Sequence, residues 1–295
     1  MKAAKSAATF LIQPRSVHVW SELWHAFAFS LTGTGGALYF YLVFTEIFQK
    51  EQSTAVALVS MALVSLGALI IFTLEITYRS VFLRYFLTNI GQSWISRGVL
   101  ALFIFGILSV ISLLLDTFGV GSQILGRALT IIAALAALVV IVYPSMVLST
   151  AAIPFWRSSL LPLEFLVSSG IGGLALIILW QVIGDAGIPL RLPVMALAAL
   201  LLINLILHLI HLASIASSTR DKTIELLTVG ELRRSFLIGF FTLGVGIPLA
   251  LAIVGYFVDE LGRSPLLLII AILVLQGIFF QRYSVLRGGI KPALL

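Results

Sequence analysis

The chain has 295 residues, 60% of them hydrophobic and 10% charged, with a mean hydropathy of +1.15. A soluble domain carries roughly 25% charged residues, so this composition excludes one, and apolar runs that are continuous and not alternating exclude a membrane β-barrel. The net charge of +6 lies in segments flanking the apolar runs and is no nucleic-acid footprint, and the lack of cysteine excludes disulfides, thiolate-held zinc and cysteine-ligated iron–sulfur clusters in this chain.

Residues 1–19 begin MKAAKSAATFLIQPRSV, where a short apolar patch ends at Pro14 and Arg15. This lacks a signal-peptide core and reads as an interfacial or partner-contacting segment. Eight runs then follow, each long enough to cross a bilayer, which takes about 20 residues. They cover about 21–47, 54–76, 94–115, 124–149, 160–183, 192–216, 235–257 and 265–286, with Pro and Gly marking many of the gaps. The predicted fold class is therefore an all-α integral membrane protein with eight transmembrane helices.

Ionisable groups inside a span cost roughly 2.5–3.5 kcal/mol on insertion scales, so each one raises a functional question. Glu22 and His25 open the first span. Glu22 suits the positive end of a helix dipole and is also a possible proton-transfer group; His25, a turn deeper, is a candidate ligand or proton-exchanging group. Glu75 closes the second span, inside LEITYRSVFLRYFLTNIGQSWISRG (Leu74–Gly98). It is deeper than Arg79, Arg84 and Arg97, each of which also reads as a topology or headgroup anchor. Tyr143 lies late in the fourth span, and Glu164 about one turn into the fifth, in LLPLEFLVSSG, where its nearest neighbours are apolar or Pro. A carboxyl in such surroundings is a candidate proton carrier. His208 and His211, in HLIH, share one face near the end of the sixth span. That spacing does not clamp a haem, which needs imidazoles from facing helices, so no haem is expected.

An even number of spans puts both termini on one side. Fourteen of the eighteen basic residues, Arg282 among them, fall on that side, against Lys50, Arg127, Arg191 and Arg263 on the other. Under the positive-inside rule both termini are cytoplasmic, with the chain in the cell's cytoplasmic (inner) membrane. The acids and histidines at membrane depth gather toward the same face, which suggests chemistry at one face and not a path across the bilayer. GTGGAL (Gly33–Leu38) and GIGGLA (Gly170–Ala175) sit at similar depth in the first and fifth spans. Small residues there permit close helix approach. Two four-helix bundles, 20–150 and 151–288, followed by a tail at 289–295, would fit such a repeat; chance similarity of two Gly-rich helices gives the same pattern.

Four stretches, in order, carry a resemblance: SWISRG (Ser93–Gly98), YPSMVLSTAAIPFWRSSLLPLEFLVSSGIGG (Tyr143–Gly173), GFFTLGVGIPLALAI (Gly239–Ile253) and LVLQGIFFQRYSVLRGG (Leu273–Gly289). With eight spans, they resemble the polysulfide-reductase membrane-subunit family, called NrfD-like or PsrC-like, over nearly the whole chain. The resemblance implies a membrane anchor of a respiratory oxidoreductase. Such a subunit exchanges electrons with a menaquinone- or ubiquinone-type quinone in the first bundle. Its implied partners are a four-cluster, ferredoxin-like iron–sulfur subunit and a catalytic molybdopterin-type subunit, with the clusters and molybdopterin held only there. Glu75 matches a position where relatives carry Asp or His, His25 a polar position early in the first span, and Tyr143 a tyrosine near the quinone. Trp94 and Arg97 belong to the SWISRG run and are implied quinone-binding residues. Relatives commonly follow the acid with Leu-Gly-Arg-Pro; here EITYRS puts Tyr78 at the arginine's place and Arg79 one position later.

On this reading Glu75 and His25 exchange the quinone's protons, and Tyr143, Arg79, Arg97 and Trp94 hold or orient it. Glu164 and Glu22 are possible proton-transfer groups, and no metal is expected. A secondary transporter, a structural anchor without quinone chemistry and an ion-translocating subunit of a larger redox complex are rival classes.

Overall fold

The computed structural model describes residues 22–49, 54–75, 88–89, 91–120, 122–184, 190–257 and 265–290. They are almost wholly helical, and no strand occurs among them. The helices are α1 (Glu22–Gln49), α2 (Thr54–Glu75), α3 (Trp94–Phe118), α4 (Gln123–Ser149), α5 (Leu161–Gly184), α6 (Arg191–Ser214), α7 (Ser217–Thr228), α8 (Arg234–Gly246), α9 (Ile247–Phe257) and α10 (Pro265–Arg287). α8 and α9 run on as a single span. Among the described residues, eight helices are thus long and apolar enough to cross a membrane. The protein is a multi-pass membrane protein. Its outer faces carry large exposed apolar side chains such as Leu69, Ile107, Leu135 and Ile183, as a lipid-facing surface requires.

Helix ends follow local chemistry. α3 stops at Gly119, whose left-handed φ of 62° lets the Val120 N–H reach the Leu115 carbonyl at 3.0 Å. Ser122 caps α4 by accepting from the Leu125 N–H at 3.2 Å. Within α4, Pro144 lacks the N–H that would bond the Val140 carbonyl, which loosens the turn just after Tyr143.

α1 lies at the centre and packs against α2, α4, α5 and α10. The two Gly-rich runs meet at its contact with α5. A Cβ on Gly173 would fall 2.8 Å from the Leu38 backbone nitrogen, and one on Gly33 would collide with Ser169 Oγ. A further buried cluster joins α1 to α2, α3 and α4 through Tyr39, Val64, Phe105, Ala137 and Val140. A larger one runs from Phe29, Ile71 and Tyr143 into the packing of α5, α6, α8 and α10.

Two features depart from the expected pattern. The segment between the sixth and seventh spans contains α7, a helix too polar to cross a bilayer. α8 is wound as a π-helix over thirteen residues, with Thr242 Oγ1 donating to the Leu237 carbonyl at 2.8 Å.

Candidate functional site

Those residues singled out in the sequence that the structure describes lie near the end of the bundle where α1 starts and α4 finishes. Glu22 is the first residue of α1 and half-buried. It interacts electrostatically with Arg287 at the end of α10, which also donates to Glu231 at 3.1 Å. His25 is buried, 3% exposed, with its ring edge-on to Phe29 at 5.9 Å. Phe29 belongs to the same apolar cluster as Ile71 of α2 and Tyr143 of α4.

Tyr143 is 5% exposed, and its ring lies against Gly98 of α3, where any Cβ would collide with it. The Ser-Arg-Gly run therefore has a packing role of its own: its glycine admits the Tyr143 ring between α3 and α4. Arg97, next to that glycine, is exposed. It donates to the Gly91 carbonyl at 2.6 Å and lies over the half-buried Trp94 ring at 4.6 Å. Glu75 is the last residue of α2, one turn beyond Ile71, and its side chain lies outside the described residues. Arg79 lies outside them altogether.

Glu164 is found in different company. It is fully buried on α5 and bonded to both histidines of α6. His211 Nδ1 lies 2.8 Å from Glu164 Oε1, and His208 Nδ1 lies 3.3 Å from Oε2. His211 Nε2 meets the Phe155 carbonyl at 2.9 Å, and the imidazole stacks on the Phe155 ring. His208 packs against Phe236 and Phe240 of α8, with centroids 5.6 and 5.0 Å away. HLIH thus serves a carboxylate on the neighbouring helix.

Arg282 of α10 completes this centre and corrects the charge count, which put it with the flanking basic residues. It is only 1% exposed and sits inside the bundle. Its Nη2 donates to the Phe165 carbonyl at 3.2 Å, Ser168 Oγ at 3.2 Å and Ser169 Oγ at 2.8 Å, and its guanidinium covers the Phe165 ring at 3.7 Å. Asn204 and Gln281 exchange two amide hydrogen bonds of 3.2 Å close by in sequence to these residues. The sequence reading missed Arg282 and the pairing of the histidines with Glu164. The available signals were the lone acid amid apolar neighbours and the i, i+3 histidine pair.

A groove of about 470 Å³ opens between α1, α2, α5 and α10, lined by Phe27, Ser30, Thr34, Leu63, Gln276 and Phe279 among others. Residues 27, 30, 31 and 34 form one stripe of α1, whereas His25 shares a stripe with Phe29. The groove and His25 thus belong to different faces of α1.

The family profile described as polysulphide reductase, NrfD, matches residues 11–292. The chain belongs to the polysulphide reductase NrfD family. Members are membrane subunits of quinone-interacting redox complexes, and this chain is of that general kind. No curated protein matches it.

Proposed function

We propose that this NrfD-family chain is the quinone-reacting anchor of a multi-subunit respiratory oxidoreductase. It exchanges electrons with the membrane quinone pool and passes them to or from a docked iron–sulfur subunit, with substrate chemistry on a molybdopterin-type subunit beyond. The first four-helix unit, 20–150, takes the quinone, and the second, 151–288, supports it. Both termini and the docking face are cytoplasmic.

The observation that carries this reading is the burial of His25 and Tyr143 within helices that share one apolar cluster, at the end of the bundle where Glu75 closes α2. An imidazole and a phenol are hydrogen-bond partners suited to quinone ring oxygens, and the surrounding Phe and Ile side chains suit the ring's apolar faces. When a quinol is oxidised, two electrons leave for the partner and two protons need acceptors within hydrogen-bond reach. His25 and Glu75 serve as those acceptors. Tyr143 orients the ring, and Trp94, Arg97 and Arg79 are its further quinone-binding residues.

The test is quinol-dependent turnover of the intact complex. Glu75→Gln should lower it by about 10²-fold, the lower end of what a positioned proton acceptor contributes. His25→Ala should lower it comparably, and Tyr143→Phe less. Unchanged turnover in assembled Glu75→Gln complex would remove Glu75 from the site, and unchanged turnover in all three would overturn the reading.

A further inference from the structure

We propose that Glu164, His208 and His211 form a second, separate site that binds one exchangeable proton, with His208 Nε2 as the atom through which it enters and leaves. The argument is a count of hydrogens. His211 Nε2 faces the Phe155 carbonyl, which only accepts, so that nitrogen carries a hydrogen. The 2.8 Å contact of His211 Nδ1 with Glu164 Oε1 requires another hydrogen between the two atoms. The 3.3 Å contact of His208 Nδ1 with Oε2 requires a third. An ionised carboxylate and two neutral imidazoles supply only two. The observed geometry therefore holds one proton more than that set, shared among three groups that titrate as a unit.

Two opposed effects make this proton exchangeable. Without it, the Nδ1 lone pair of His211 would face a carboxylate oxygen at 2.8 Å, both groups fully buried, which favours keeping it. Arg282 pulls the other way. It is fully buried, and its Nε and Nη1 lack partners among the described residues. With the proton bound, the four side chains carry one net positive charge; with it released, Glu164 and Arg282 balance and the net charge is zero. Burying uncompensated charge is costly, so Arg282 favours release. Arg282 also interacts electrostatically with Glu164. The aromatic rings against the two imidazoles, Phe155, Phe236 and Phe240, do not titrate.

The route follows from which nitrogen is open. His208 Nε2 is buried and has no hydrogen-bond partner among the described residues. A proton taken up there forms one N–H bond and makes His208 an imidazolium that keeps its Nδ1 hydrogen against Glu164 Oε2. The trio then holds three hydrogens in total, no other bond breaks and no electron moves. The π-winding of α8 brings Phe236 and Phe240 of one helix face against this ring, and π-wound segments recur at functional sites.

The same three residues place ligand atoms within 4.8 Å of one another, a spacing that a divalent cation could use. Such an ion would raise the buried net charge beyond that of the bound proton, because Arg282 is already positive. That favours the proton.

The test uses the chain with nitrogen-15 histidine, in lipid nanodiscs and without quinol, so its outcome is independent of the quinone reading. There are four histidines, and single His→Gln variants assign their signals. The expected result is one titration step, of one proton, sensed together by His208 and His211 and absent from His25. Glu164→Gln should abolish the shared step, and His208→Asn should slow exchange of the proton between the site and solvent. Independent titration of the two histidines, or no change at either across the range in which the protein stays folded, overturns the proposal. So does a stoichiometric divalent metal found by mass spectrometry of the purified protein. If Glu164→Gln fails to assemble, the wild-type spectra alone decide between shared and independent titration.

Discussion

Arg282 brings a full charge into the membrane-spanning part of α10, and among the described residues no carboxylate is in hydrogen-bond contact with it. Two hydroxyls and a carbonyl of α5 receive its Nη2, and the Phe165 ring receives its flat face at 3.7 Å. A lysine keeps the charge but loses the planar face and the spread of donors. Arg282→Lys should therefore cost about 1–3 kcal/mol, seen as a lower melting temperature of the purified protein in detergent. Equal stability would show that charge alone, and not the planar group, is what the site requires. At this scale the sequence was partly legible. Glu164 stood out because its neighbours are apolar, and HLIH because three residues put both imidazoles on one face. Their meeting was not legible, because it depends on how α5 and α6 pack, over separations of 44 and 47 residues. Arg282 looked like one more flanking charge, since nothing in FFQRYS tells that Ser168 and Ser169 lie opposite.

The helices themselves were readable to within a few residues, because crossing a bilayer demands long apolar runs and leaves little choice of structure. The π-winding of α8 was not, since it depends on what the helix packs against. Gly244 of α8 and Gly277 of α10 touch backbone to backbone, and a Cβ on either would lie inside the van der Waals envelope of the other's Cα. The crossing leaves no room for a side chain at either position, and small residues are what membrane helices use for such close approach. Gly244→Ala and Gly277→Ala should each destabilise by about 1–3 kcal/mol, the usual cost of overpacking. The double variant should cost less than the sum, because the first alanine already pushes the axes apart. Thermal unfolding of the four proteins in one detergent measures the coupling, and strict additivity would show that the contact is not shared. α7 escaped notice for a different reason. It is too polar for a span, yet it buries Thr223 and Leu227 on one side.

For the whole molecule, the two centres lie toward one end of the bundle on either side of α1. His25 is near its start, and Gly33, two turns on, adjoins Arg282, whose Nη2 would lie 3.2 Å from a Cβ placed there. The proposal that this end faces the cytoplasm rests on charge. Setting Arg282 aside as buried leaves thirteen basic residues at the terminus end against four at the other. The correction removes one charge from the majority side and does not alter the sign. The bias acts through short loops near span ends, which is where these residues fall. A green fluorescent protein fused to the C-terminus should therefore fluoresce, and alkaline phosphatase fused at the same point should be inactive. The same reporters fused after residue 120 should give the reverse pattern, because three spans precede that point. A phosphatase-active C-terminal fusion would turn the molecule over. Both the proposed quinone site and the proposed Glu164 site would then exchange protons with the opposite compartment, and the proposed soluble partners would have to dock there.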